Sequence, residues 1–246
     1  DINLGGNDGA NVIVGAAGAN IISGKGGKDY LFSRDFNPDG TMKAGAGNDL
    51  LFGDQGDDGL FAGDGKDQLF GDEGSDGLVG GAGDDVLNGG ADADFLFGGA
   101  FSPAGQRLAN SGNDTLFGDT GNDGLYGFDG DDIIDGGADN DYVEGGAGAD
   151  TITGGAGSDY LLGQEGADQI NGGAGFDYLY GGTGADTFIF KPGDSADWIL
   201  DFSAVQGDKL RFEGFDFVSV AAIGFVDLST PGHPAVQMSQ YNSTTE

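Results

Sequence analysis

Large apolar residues return along this chain at every ninth position, and the residues between them are mostly glycine and aspartate. The pattern is plainest in GGAGADTIT (145–153), GGAGSDYLL (154–162), GQEGADQIN (163–171), GGAGFDYLY (172–180) and GGTGADTFI (181–189). The same frame holds back to Ala109, and two earlier blocks, 6–32 and 44–97, bring the total to 18 nonapeptides. The eighth place is a large apolar residue in all 18, from Ile13, Ile22 and Leu31 to Leu179 and Phe188. The sixth is Asp in 16, with Asn11 and Asn20 as exceptions, and the fourth is Gly in 16, with Asp92 and Asp139 as exceptions. Three periodic places agreeing over so many copies mark a repeat architecture.

The chemistry assigns each place a task. Glycines at the first, second and fourth places permit left-handed backbone and predict a tight turn with inward carbonyls. The sixth place adds a carboxylate to that turn. The last three residues predict a short strand whose middle side chain points inward and whose neighbours point outward. One such strand cannot stand alone, but stacked copies bury a continuous apolar column. The prediction is an all-β solenoid of parallel strands.

Two stretches break the frame, SRDFNPDGTMK (33–43) and GGAFSPAGQRL (98–108), each of 11 residues with one proline. They read as enlarged turns protruding from the solenoid. If neither adds a coil, they belong to the fourth and tenth repeats and lie on one side.

Charge sharpens the picture. Acidic residues number 42 against 9 Lys plus Arg, a net charge of −33, and 54 residues are glycine. Self-repulsion and glycine entropy both oppose folding, so something must neutralise the chain. No cysteine is present to staple it or to bind a soft metal. The absence of a basic patch argues against nucleic acid, and no apolar run approaches the roughly 18 residues of a membrane helix. The chain opens at Asp1 without a leader, and is expected to be part of something longer.

On these residues the sequence resembles the RTX (repeats-in-toxin) family, whose repeat is GGxGxDxUx with U a large apolar residue. The resemblance implies a right-handed parallel β-roll over 1–189, two repeats to a coil. It implies calcium ions between repeats n and n+2, each held by turn carbonyls and sixth-place side chains of both repeats. The implied ligands are Asn11, Asn20, Asp29, Asp49, Asp58, Asp67, Asp76, Asp85, Asp94, Asp114, Asp123, Asp132, Asp141, Asp150, Asp159, Asp168, Asp177 and Asp186. An all-oxygen set suits Ca²⁺ and not zinc. Neutral amides are weaker ligands, so sites at Asn11 and Asn20 are expected to be weak or absent. Sixteen ions, one for each n/n+2 pair, would carry +32 against −33.

Past Phe190 the repeat stops. The segment 190–246 is expected to cap the roll, with Trp198, Phe202, Leu210, Phe212, Phe215 and Phe217 as apolar cover. Asp197, Ile199, Asp201, Phe202, Gly207, Asp208 and Lys209 are similar to the closing segment of the roll in secreted serralysin-type metalloproteases. Its carboxylates Asp197, Asp201 and Asp208 could bind a further ion, but are expected to be solvated or capping. The family's C-terminal secretion signal is not evident in SQYNSTTE.

The ninth place is unusually aromatic, with Phe32, Phe61, Phe97 and Tyr126 among the odd repeats and Phe52, Phe70 and Phe117 among the even. An outward ladder of stacked rings is expected, either stabilising the sheet or docking a partner. The one histidine, His233, sits in PGHPA with no zinc-protease HExxH. The chain is read as non-catalytic. The resemblance implies a secreted calcium-dependent folding module that passes a type I secretion machinery unfolded and folds outside the cell. The alternative is a module binding a polysaccharide, a cell surface or a lattice neighbour. A glycan-active enzyme is a third reading.

Overall fold

The computed structural model describes residues 2–34, 47–102, 105–108 and 111–215, and the backbone of strands Ile223–Asp227 and Val236–Gln240. Phe217, His233, the residues 241–246 and most of the first interruption lie outside them.

The described residues form a parallel β-solenoid of two facing sheets, with no helix among them. The first sheet has 11 strands, running from Ile2–Gly5 through Asn20–Gly26 and Leu50–Gln55 to Lys209–Phe212. The second has 12, running from Val12–Val14 through Tyr30–Phe32 and Gly59–Asp64 to Trp198–Ile199. It closes on the antiparallel pair Val236–Gln240 and Ile223–Asp227. Consecutive strands alternate between the sheets, so each strand pairs with the next but one: Ile152 faces Ile170, and Leu161 faces Leu179. Most strands are six residues and include the first three places of the following repeat, as in Thr151–Ala156. The predicted three-residue strand was too short because glycine at those places pairs in the ladder as readily as the rest.

The eighth-place residues make the core. Leu31, Leu60, Leu78, Leu96, Leu125 and their counterparts on the other sheet are fully buried. Burying one leucine contributes about 1.5–3 kcal/mol. Ordering a backbone costs roughly 1–2 kcal/mol for each residue. A core of one side chain per repeat therefore cannot hold the coil by itself, and the turns must supply the difference. Leu125→Ala is expected to cost about 2–5 kcal/mol, read as a lower urea midpoint in saturating calcium.

The solenoid outruns its repeats at both ends. Ile2–Gly5 pairs with Asn20–Gly26 ahead of the first nonapeptide. Trp198–Ile199 and Lys209–Phe212 extend the two sheets beyond the last. Phe202, Leu210, Phe212 and Phe215 pack on the core there, and Phe190 stacks on Phe212 with centroids 5.6 Å apart.

Neither interruption adds a coil. The pairing Leu31 to Leu60 and that of Leu96 to Leu125 each skip one insertion and keep the register of the uninterrupted coils. Both insertions enter the turns that lead from the second sheet to the first, hereafter the insertion column; the other turns form the plain column. The structure moves each insertion by two residues, however. Ser33 donates its backbone N–H to Phe61 O, and Gly98 donates to Tyr126 O, so these residues occupy the first turn place. In the second insertion the chain leaves the turn after the second place, and Ser111 takes the third, its carbonyl accepting from Gly83 N. The described part of the second insertion folds down on the second sheet. Phe101 meets Phe97 and Phe128, and Arg107 lies 4.6 Å over the Phe128 ring and bonds Glu144 at 2.7 Å. Phe128 is 2% exposed and holds φ 84°, a conformation bulky residues avoid. Its burial under the insertion offsets that strain.

Candidate metal-binding turns

Each turn begins with backbone only partly as the sequence predicts. In most turns the second and fourth places are left-handed, with φ 121° at Gly146 and 139° at Gly148, but the second-place Asn7, Ala16, Arg34 and Gly99 are not. Asp92 and Asp139 hold φ 76° and 78° at the fourth place, which Asp tolerates better than most residues. The first-place glycine is needed for space instead. A Cβ at Gly53 would lie 2.6 Å from Asp58 Oδ2 and 2.7 Å from Gly71 O of the next coil. The carboxylate oxygen, the glycine α-carbon and the neighbouring carbonyl converge on one small volume.

The sixth-place side chains stack in two files. In the insertion column Asn20, Asp49, Asp67, Asp85, Asp114, Asp132, Asp150, Asp168 and Asp186 follow one another. In the plain column Asn11, Asp29, Asp58, Asp76, Asp94, Asp123, Asp141, Asp159 and Asp177 do the same. Each backbone N–H donates to Oδ1 of the residue one coil on: Asp132 to Asp150 at 2.9 Å, Asp58 to Asp76 at 2.7 Å, Asp85 to Asp114 at 2.8 Å across an insertion. All of these carboxylates are buried. Among the described residues Oδ2 of every one, from Asp29 to Asp186, has no hydrogen-bond donor. A buried charged oxygen left without a partner costs several kcal/mol, and here the deficit repeats at every coil.

The two asparagines reveal what belongs in that volume. Asn20 Nδ2 donates to Ala16 O and Gly18 O at 2.8 Å, to Ser33 O at 3.2 Å and to Asp49 Oδ1 at 2.9 Å. Asn11 Nδ2 donates in the same way to Asn7 O, Gly9 O and Asp29 Oδ1. The second- and fourth-place carbonyls of a turn, the first-place carbonyl of the next coil and that coil's carboxylate therefore all aim at one point. Where the sixth residue is Asn, an amide supplies the positive pole. Where it is Asp, every group at that point is an oxygen. Such a cage takes a hard cation. Among the described residues no three carboxylates converge; the acids stand in single file, and carbonyls complete each cage.

The electrostatics follow from the stacking. Burial pushes Asp85 up to about 9 and Asp94 and Asp150 up to about 8, against the pull of the N–H each accepts. Neighbouring carboxylates in the file push the same way. Without a counter-charge the ladder holds protons that an exposed aspartate would release.

All 18 predicted residues fall on the two files. Two further members escaped the sequence frame. Asp177 donates its N–H to Asp197 Oδ1 at 3.3 Å and Asp186 to Asp208 Oδ1 at 3.1 Å, so Asp197 and Asp208 end the plain and insertion files. Asp197 is wholly buried, with Oδ2 unpartnered, and not solvated as expected. The signal was available: each stands two residues before an apolar residue, Ile199 and Leu210, which is the repeat's own Asp-x-apolar spacing. Asp201 does cap, accepting from Gly181 N at 2.9 Å and Gly182 N at 2.7 Å. A fifth-place ladder was also missed. Asn140 Oδ1 accepts from Ser158 N at 2.7 Å and Asp131 Oδ1 from Ala149 N at 2.8 Å, which ties adjacent turns on their outer side.

Residues 5–37, 39–69, 70–102, 108–143, 135–170 and 162–195 match the family model of the RTX calcium-binding nonapeptide repeat, present in 4 copies per model. No curated protein sequence matches the chain.

Proposed function

Because the chain belongs to the family of RTX calcium-binding nonapeptide repeats, which bind multiple Ca²⁺ ions, we propose that it is a calcium-dependent folding module of a secreted protein. The observation that carries this reading is the file of buried Oδ2 atoms without donors. Asp29 to Asp186 would hold the ions with turn carbonyls of two successive coils, and Asp197 would add a further carboxylate. Bound calcium supplies the positive charge that the Asp turns lack. The chain's own residues supply orientation: the N–H of each Asp fixes the next carboxylate, and glycine at the first place keeps the cage open.

Calcium binding free energy is then folding free energy. In a calcium-poor cytosol the chain stays expanded and fits passage through a type I secretion machinery. Outside, millimolar calcium falls within the range of extracellular sites. The roll forms and helps an attached domain to fold. RTX repeats are typical of secreted and non-catalytic modules, and among the described residues no helix is long and apolar enough to cross a membrane.

Far-UV circular dichroism during a calcium titration from EDTA tests this, with magnesium as control. A cooperative gain of sheet signal near millimolar calcium, absent with magnesium, is expected. A chain already fully folded in EDTA at neutral pH would sink the proposal.

A second reading rests on the outer face of the second sheet. Phe32 stacks on Phe61 at 4.9 Å and Phe97 on Tyr126 at 5.0 Å. Seventh-place tyrosines continue the line: Tyr142 stacks on Tyr160 at 5.7 Å, and Tyr160 meets Tyr178 at 6.1 Å. Phe52 stacks on Phe70 on the first sheet, but Phe117 is separated from Phe70 by Asn88. Half-exposed rings in file can seat sugar faces. Binding of the calcium-loaded chain on a glycan array would favour this role, and no binding anywhere would leave the folding role alone.

A further inference from the structure

The first turn place is glycine in every repeat but two once the insertions are aligned, and those two are adjacent in one column: Ser33 and Ala62. Beside them stands Arg34, which is 2% exposed. Its Nη2 donates to Asp64 O at 3.1 Å and lies 3.9 Å from Asp49 Oδ2. Its charge also acts favourably on Asp67, one coil on.

We propose that Arg34 is a built-in cation that replaces calcium between Asp49 and Asp67. This rests on the calcium reading above. Three observations meet at this level. A guanidinium is buried 3.9 Å from Asp49 Oδ2, with its Nε and Nη1 bonded to nothing else among the described residues, so its charge acts on the ladder. The Cβ atoms of Ser33 and Ala62 stand at the place where a first-place Cβ at Gly53 would crowd the carboxylate oxygen and the next carbonyl. The level before it is already closed by an amide, since Asn20 Nδ2 donates to Ser33 O at 3.2 Å and Asp49 Oδ1 at 2.9 Å. A divalent ion here would sit against a fixed positive charge in a site narrowed by two side chains. A buried guanidinium, in turn, needs these carboxylates, because an unpaired buried charge is strongly destabilising. The N-terminal coils of the insertion column are thus neutralised by the protein itself, first by Asn20 and then by Arg34. They offer a start for the roll that does not depend on calcium.

The test is the anomalous scattering of the full chain crystallised with calcium. Ions are expected between Asp132 and Asp150 and none between Asp49 and Asp67. An ion between Asp49 and Asp67, with the guanidinium displaced, would overturn the inference while leaving the calcium reading intact. Ions at no level would overturn the calcium reading and the inference with it. A second measurement is the calcium count by native mass spectrometry. Ser33→Gly, Arg34→Gly and Ala62→Gly together are expected to raise the count by at least one ion over the parent. An unchanged count in a folded variant would overturn the inference, and the map of the unsubstituted chain decides should the variant not fold.

Discussion

In EDTA at pH 8 the chain is expected to lose its sheet signal, and in the same EDTA at pH 5 to regain a large part of it. The sign follows from the buried carboxylates. Burial, reinforced by neighbours in the file, pushes Asp85 up to about 9, Asp94, Asp150 and Asp197 to about 8, and Asp58, Asp114 and Asp141 to about 7. Asp67, Asp76, Asp123, Asp132, Asp159 and Asp168 rise to about 6. All lie above the ordinary 3.8. The metal-free roll therefore binds more protons than the unfolded chain from about pH 4 up to these values. Stability falls with rising pH wherever the folded state holds the extra protons. The contribution is complete below the ordinary carboxylate range and is lost as pH climbs through about 6 to 9. A protonated carboxyl can donate to a turn carbonyl, as the amide of Asn20 does, so acid partly imitates the ion. In saturating calcium the same pH change should leave the signal flat, and calcium added at pH 6 should release protons measurable by pH-stat. Equal sheet signal in EDTA at both pH values would show that the ladder is not the obstacle to folding.

This dependence exposes what could be read from the chain alone. The eighth-place core, the alternation of sheets and the two Asp files were legible because period-nine spacing leaves one solution: a strand, a turn, and a partner two repeats away. The placement of the insertions was not legible. GGAF and SRDF begin where a turn should begin, yet Ala44 and Ala109 resume the pattern equally well. Only hydrogen bonds from Ser33 and Gly98 decide which copy closes the coil. Arg34 was hidden for the same reason. Counted as part of a loop, it is a surface charge. Placed at the second turn place, it points into the ladder. Asp197 and Asp208 were not placed on the files because the glycines that announce the turn are absent there, and only the Asp-x-apolar spacing remains. The Phe128 anchor was illegible for another cause. A phenylalanine at a left-handed place has no local reason to exist, and its reason is an insertion that arrives from the next coil down.

The role of the carboxylate as distinct from its shape can be separated at Asp150. Its Oδ1 accepts the N–H of Asp132 at 2.9 Å, and its Oδ2 is the unpartnered atom. Asp150→Ala removes both, and leaves a buried N–H without an acceptor, a loss of about 1–3 kcal/mol. The variant is expected to bind fewer ions and to be less stable in calcium and in EDTA alike. Asp150→Asn keeps the oxygen for Asp132 and places an N–H₂ where Oδ2 stood. Asn20 shows where such a group donates: to the second- and fourth-place carbonyls of its own turn and to the carboxylate one coil on. Asp150→Asn should therefore lose ions as Asp150→Ala does, but gain stability over the parent in EDTA at pH 6, where the parent must take up a proton at Asp150 to fold and the amide satisfies the turn without one. Urea midpoints in EDTA and in calcium, with ion counts for each variant, separate the cases. If Asn and Ala destabilise equally in EDTA, the amide does not substitute for the ion. If they part as expected, each further Asp→Asn change down the file should trade one ion for one amide, and the calcium requirement of the roll should fall stepwise.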